Sequence, residues 1–501
     1  MILEGGTIHT ADAALPQVRA LPIDDRGRIT RGVEAWEGDT SRVSNERIDL
    51  GGRTVVPGFV DAHVHFLSWA LDRLRVDVRD APSAEVALAR IAEQAAADRA
   101  AGTDGSWLIA TGWTEAMLAE VADPAAALDA ATSERPAAFW ARDRHALWLS
   151  TAALAQIGGD AVRRENAAWE TPLPEPTRAE RQRAVSLGQQ EAHRLGLTGI
   201  HDFERRLGRR TWQELDAQER VTLRVSTSLP AEHLDAVDEL ELVSGFGSDH
   251  VRIGAVKTFL DGTVGARTAH MLAPYDDGGS GMQLVSTEEL AATIRRSAAL
   301  GLPVAMHAIG DAAVRSALDS LEATQDDWRE LATTHGRPPR IEHAQLVHPD
   351  DLARFGQLGV VASMQPVHAA EDRTAAQAAW GERCTGAYAW APLRDAGATL
   401  VFGTDAPISP IDPLATLAAA VNAPLLPEHA VGIGDALAAM TITPSAIIGL
   451  ERRVGRLSPG CFADLLVLDR DPFQTPPDEL ASIEVVATMV GGRWVHGRPP
   501  W

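Results

Sequence analysis

Lysine is almost missing from this chain. Among its 46 lysines and arginines, Lys257 is the one lysine, and it lies in an apolar, strand-like run, residues 253–260. A buried amine can lose its proton and a guanidinium cannot, so a lone lysine in such a place is a candidate for chemistry. The competing reading is chance survival, or a structural lysine paired with a carboxylate. Cysteine is equally scarce. Cys384 and Cys461 are the only two, which excludes a disulfide framework and leaves too few thiolates for a cysteine-built zinc site. No apolar run approaches the ~20 residues of a membrane span, and residues 1–20 lack the basic stretch and apolar core of a secretory signal. The expected compartment is therefore the cytoplasm, with no membrane partner. Positive charge is also in deficit. A net charge of −23 opposes binding to phosphate backbones, so no nucleic-acid partner is expected; a bound cation can still dominate the field locally. Tyrosine is rare, 2 against 10 phenylalanines and 13 tryptophans, and the tryptophans fit either apolar pocket walls or core packing.

What is present is the balance of a soluble globular enzyme, 45% hydrophobic and 23% charged over 501 residues. That length exceeds the ~250 residues of a minimal barrel and leaves room for insertions. Residues 1–56 and 451–501 hold short apolar segments broken by Gly, Asp and Pro, which read as small strands. They are expected to form one composite β domain, a small β-sandwich built from both termini. Residues 57–450 alternate apolar runs with amphipathic stretches, the pattern of βα units around a parallel sheet. Eight runs stand out, at 58–66, 196–203, 222–229, 251–260, 302–307, 340–345, 359–365 and 399–404. The fold expected is α/β, a (β/α)8 TIM-like barrel. A long insertion, about 67–195, follows the first strand and carries two further strand-like runs, 107–112 and 137–142.

Strand alternation puts His63 and His65 on one face, where two imidazoles can hold a borderline-soft cation such as zinc. A lone His-x-His also arises by chance. The weight comes from the company it keeps. Lys257, His307, His343 and Asp405 each fall near the C-terminal end of a different expected strand, each inside an otherwise apolar run. Catalytic groups of such barrels gather at that face, and polar side chains buried there must be paired or metal-bound.

At this point the sequence resembles a known family. VPGFVDAHVH at 56–65 resembles the first-strand signature of the amidohydrolase superfamily. KTFLDGTVGARTA at 257–269, HAIGD at 307–311, RIEHAQ at 340–345, SMQPVH at 363–368 and GTDAPISP at 403–410 are similar to its branch of N-substituted formamide deformylases (amidohydrolase family 3). RHALWLS at 144–150 resembles a segment of that branch, with Arg144 where it has glycine and Leu149 where it has valine. GRLSPGCFADLLVLD at 455–469 resembles the composite β domain of the family, with Cys461 where lysine is usual. The resemblance implies two divalent metal ions, zinc being the expected element. His63, His65 and Asp405 would hold one and His307 and His343 the other, with Lys257, carboxylated by carbon dioxide, bridging both. It further implies cleavage of an amide or formamide C–N bond, other than a peptide bond, by a metal-bridging hydroxide. Asp405 would be the catalytic residue that moves the proton. The substrate would be a small N-acyl or N-formyl amine. Trp113, His145, Asp261, Arg267, Gln365 and His368 are candidates to touch substrate or support the ligands, and His201 is a weaker one. His9, His193, His233, His250, His335, His348, His429 and His496 lie in surface-like or helical contexts and receive no role.

Two other readings compete. A mononuclear deaminase of a ring amidine would carry a glutamate a few residues after the third metal histidine, whereas here Asp311 follows in HAIGD without one. A barrel that has lost catalysis and serves as a binding or assembly protein would have shed ligands, and all six are present. A homo-oligomer remains open, as do the exact substrate and the metal.

Overall fold

All eight apolar runs become strands: Phe59–Val64, Leu197–Asp202, Arg224–Pro230, Val251–Phe259, Val304–Ala308, Arg340–His343, Val361–Met364 and Thr399–Phe402, barrel strands 1 to 8 in that order. The computed structural model describes residues 1–30, 46–103, 105–142, 146–164, 166–275 and 278–499. The eight strands pair in sequence order as one parallel sheet. Strands 1, 2, 3, 5, 6 and 7 are buried along their whole length, as expected of a parallel sheet covered on both faces, and this is why they read as apolar runs rather than alternating ones.

Strands 1 and 8 meet at their C-terminal ends. The Asp405 amide donates to His63 O at 2.7 Å and the His65 amide to Ala406 O at 2.8 Å. Asp61 reinforces the seam, its carboxylate accepting from the Thr404 hydroxyl at 2.6 Å and the Thr404 amide at 3.0 Å. Gly403 permits this approach, since a Cβ there would stand 2.4 Å from His63 N. The outcome is a nearly closed, TIM-like α/β barrel. Its helices carry ordinary start and stop signals. Thr287–Ala299 opens on a capping box, Ser286 Oγ accepting from Glu289 N at 3.2 Å and Glu289 Oε2 from Ser286 N at 2.9 Å. Pro349–Leu358 starts on proline and stops at Gly359, whose φ of 73° a glycine adopts without strain.

Both ends of the chain enter one seven-stranded sheet, in the order Gln17–Pro22, Ile2–His9, Thr54–Pro57, Leu465–Leu468, Val485–Val490, Arg493–His496, with Arg47–Asp49 beside Ile2–His9. Among the described residues the hydrogen bonds join these strands into one sheet. Its core holds Leu3, Ile8, Leu21, Val55, Leu465, Val467 and Met489. Arg224 of strand 3 grips Asp464, Nη2 to Oδ1 at 2.9 Å and Nε against Oδ2, tying the barrel to this sheet. Three of the histidines read as lying in surface-like or helical contexts are buried: His9, His193 and His429. Each has partners distant in sequence. His9 Nε2, for instance, lies 3.1 Å from Asp471.

The insertion forms its own compact unit, Leu67–Gly188. Its sheet runs Val162–Arg164, Ala146–Leu149, Ala137–Ala141, Leu108–Trp113, Val76–Asp77, over a core that includes Ile91, Trp113, Leu128, Phe139 and Trp148. The helix Arg178–Arg194 continues past the last residue of this unit. The last turn of that helix is held by the barrel, His193 Nδ1 lying 2.9 Å from Leu197 O. Among the described residues, no helix is long and apolar enough to cross a membrane.

Candidate metal centre

Each of three buried histidines has one ring nitrogen occupied by a hydrogen-bond acceptor. His63 Nδ1 lies 2.6 Å from Glu342 Oε2, His307 Nε2 lies 3.1 Å from Gly262 O, and His343 Nδ1 lies 2.8 Å from Gln365 Oε1. An acceptor fixes the ring hydrogen on the nitrogen facing it and leaves a lone pair on the other, the arrangement of a metal-ligating imidazole. The rings converge. Centroids of His307 and His343 stand 4.5 Å apart, those of His63 and His343 4.9 Å, and those of His63 and His65 5.7 Å. Burial, with the charge of Lys257 adding to it, depresses His63 to about 4 and His307 to about 3. Burial and the neighbouring His307 hold His343 well below the ordinary range. All three are therefore neutral near pH 7, the form that binds a cation. His65 differs: burial opposes its charge, but Asp405 beside it outweighs burial and raises its pKa.

Asp405 stands among them, Oδ1 3.3 Å from His65 Nε2 and 3.6 Å from His63 Nε2, and Oδ2 4.0 Å from His343 Nδ1. Burial would raise its pKa, yet the surrounding histidines hold it well below the carboxylate range, so it is ionised. Two of these residues occupy left-handed backbone, His343 at φ 74° and Asp405 at φ 58°. Non-glycine residues adopt that region at a cost and cluster there at functional sites. At His343 the consequence is specific. Neighbours on a strand face opposite sides, but this twist lets Glu342 and His343 both reach His63.

Lys257 lies between the faces of Phe203 and Phe259, its Nζ 5.0 and 4.9 Å from the ring centres. Phe203 in turn stacks on His63 at 4.3 Å and Phe259 packs against His307 at 5.2 Å. Burial lowers the amine to about 8. Neither Lys257 Nζ nor Asp405 Oδ1 has a hydrogen-bond partner, though both are buried. Leaving such atoms unpaired costs roughly 1–3 kcal/mol each, more when charged. A divalent cation would satisfy the Asp405 oxygen, and the neutral imidazoles beside it are the donors such cations take; Lys257 would join them only after losing its proton. The residues fit a metal.

A model of the amidohydrolase family matches residues 46–496. The chain belongs to the amidohydrolase family. It is similar to the putative amidohydrolase YtcJ of Bacillus subtilis (strain 168), 28% identical over 99% of each chain. It is 25% identical to an N-substituted formamide deformylase of Arthrobacter pascens, covering 98% of this chain and 97% of that one. Among solved structures, an uncharacterized metal-dependent hydrolase from Pyrococcus furiosus superimposes with a TM-score of 0.80 at 29% identity, over 94% of this chain and 99% of that one. Membership makes this amidohydrolase a metal-dependent hydrolase, with its candidate metal-binding residues in the place just described.

Nitrogens of His63 and His65 and an oxygen of Asp405 lie within 4.8 Å of one another, and so do those of His343, His368 and Asp405. Among the remaining candidates of this amidohydrolase, Gln365 and His368 lie at the centre. Asp261 is one step away, 3.6 Å from His307 Nε2, with its carboxylate accepting from the amides of His270, Ile309 and Gly310. Burial raises it to about 7 against those hydrogen bonds. Arg267, at φ 57°, donates to Ala378 O of the helix Arg373–Trp380 at 3.2 Å and lies over Tyr275. His201 is buried with Nδ1 2.8 Å from Arg340 Nη1. Trp113 is fully buried in the core of the insertion, its indole N–H donating to Phe139 O at 2.6 Å, so its polar handle is already used. His145 lies outside the described residues. Sequence reasoning missed Glu342 and Arg340. Arg340 contacts both Glu342 oxygens and donates to Ser363 Oγ at 2.6 Å and Ala62 O at 2.7 Å. With Coulombic help from Arg340 and His63, Glu342 stays ionised despite complete burial. Opposite charges alternating in RIEH, inside an apolar strand, were the available signal.

Proposed function

We propose that this amidohydrolase hydrolyses a non-peptide C–N bond, the amide or formamide of a small N-acyl or N-formyl amine, with two divalent cations, zinc being the expected element. His63, His65 and Asp405 would hold one, His307 and His343 the other, and Lys257 would bridge them as a carbamate. The observation that carries this reading is the buried Lys257 Nζ, which has no hydrogen-bond partner, close to an ionised Asp405 amid three neutral histidines. When bound, the cations supply an electrophile for the substrate carbonyl and lower the pKa of a shared water.

The chain's own groups do the rest. With its pKa near 8, Lys257 has a neutral fraction at neutral pH. Its Nζ can attack the carbon of carbon dioxide and give up one proton, which yields a carboxylate with two oxygens. Asp405, ionised, would take the proton of the attacking water and return it to the leaving nitrogen. Glu342, Gly262 and Gln365 hold the ring tautomers of His63, His307 and His343. The substrate class is supported by the similarity to the formamide deformylase. It is tested by a screen of N-formyl and N-acyl amines together with metal analysis of protein purified without chelator. Two equivalents of metal are expected, and Lys257→Arg should lose them and abolish turnover, although charge is conserved. One equivalent with release of ammonia from a ring amidine would favour a deaminase. Both metals and normal turnover in Lys257→Arg would sink the carbamate.

A further inference from the structure

His368 is buried, and its ring stacks on that of His343, with centroids 6.4 Å apart and planes 12° from parallel. Its distance from Asp405 and His343 fits a metal ligand as well as a donor to substrate. Its hydrogen bonds decide between the two. Asp372 Oδ2 accepts from the Tyr388 hydroxyl at 2.7 Å and lies 3.4 Å from Gln345 Nε2. A carboxylate can only accept, so the Gln345 amide must present its NH2 on that side rather than its oxygen. The same Nε2 lies 3.3 Å from His368 Nδ1. Nδ1 therefore accepts and carries no hydrogen. A neutral imidazole has a single N–H, which is left to Nε2, and that buried atom has no partner among the described residues.

We propose that His368 donates its Nε2–H to the carbonyl oxygen of the substrate, with Gln345, Asp372 and Tyr388 fixing the tautomer, and that it is not a metal ligand. A ligand needs a lone pair on the nitrogen that faces the cation, and here one nitrogen's lone pair is engaged by Gln345 while the other nitrogen carries the hydrogen. The donor is useful in proportion to the negative charge on the oxygen. It therefore gains strength as the carbonyl becomes a tetrahedral oxyanion, and its loss appears in kcat more than in KM. It also favours a substrate whose reacting carbon bears an oxygen over one bearing a protonated nitrogen. The assignment of the carbonyl rests on the amide hydrolase reading above.

The test is His368→Phe, which keeps a stacked ring and removes the donor. Expected are a fall in kcat of about 100- to 1,000-fold, a KM within about threefold, an unchanged metal content and an unchanged melting temperature. Loss of one metal equivalent would make His368 a ligand and overturn the proposal, and so would unaltered kcat or a fall explained by unfolding. A second measurement needs no turnover. In the 15N spectrum of histidine-labelled wild-type protein, the pair of signals absent from His368→Phe should show a protonated Nε2 and an unprotonated Nδ1; the reverse would refute the tautomer. If wild type hydrolyses no N-acyl or N-formyl amine, the amide reading fails by itself, while metal count and spectrum still decide whether His368 donates or ligates.

Discussion

At the scale of single residues, the candidate centre depends on what stands behind each candidate ligand. His63 is held by a carboxylate that is itself charge-paired, since Glu342 contacts Arg340 on one side and the His63 Nδ1 on the other. A charged acceptor raises the basicity of the ring as well as orienting it, and loss of such a partner typically weakens metal affinity about 10- to 100-fold. Glu342→Gln should show a loss of this size in competition with a chelator, while its substrate KM measured at saturating metal stays close to wild type. Unchanged affinity would reduce Glu342 to a structural partner of Arg340. The candidate ligands were read from polar residues that fall near the ends of separate, largely apolar runs. Glu342 was not among them, because a strand read by strict alternation does not turn both Glu342 and His343 inward, and the left-handed backbone of His343 departs from that alternation.

At the scale of elements, the barrel strands were legible for a simple reason: burial on both faces leaves an unbroken apolar string. Element ends and histidine environments were harder. The helix Arg178–Arg194 is continuous across the border of the insertion, so no break in pattern marks it. His193 looked like one more polar residue on that helix, because its partners, Leu197 and Thr222, belong to segments beyond it. Its burial has a pH signature. Burial lowers His193 from 6.5 to about 4, so on acidification the unfolded chain takes up a proton before the folded one does. The stability this residue supports is present above about pH 6.5 and is lost as pH falls toward 4. His193→Gln removes the titration but keeps hydrogen-bonding capacity. In urea unfolding, the wild type should lose roughly 2 kcal/mol more than the variant between pH 7 and pH 5. Equal losses would mean that His193 is not held neutral in the fold.

At the scale of the whole molecule, strands from both ends of the chain join one sheet, and the strand Thr54–Pro57 of that sheet leads directly into barrel strand 1 with His63. Cation binding and global stability are thereby linked through the seam of strands 1 and 8. A ligand that binds only the folded state stabilises it by about 2.7 kcal/mol at 100-fold excess over its Kd. Removing metal with a chelator should accordingly lower the melting temperature by several degrees, and added zinc should restore it; a melting temperature indifferent to chelation would argue that the centre holds no cation. The scarcity of lysine has an experimental consequence of its own. With one side-chain amine in 501 residues, carbon-13 bicarbonate has one side chain into which it can enter as a carbamate. Beside the α-amine of Met1, whose signal Lys257→Arg would leave in place, one resonance in the carbamate region would report on the heart of the enzyme, free of the background that dozens of surface amines contribute in an ordinary protein.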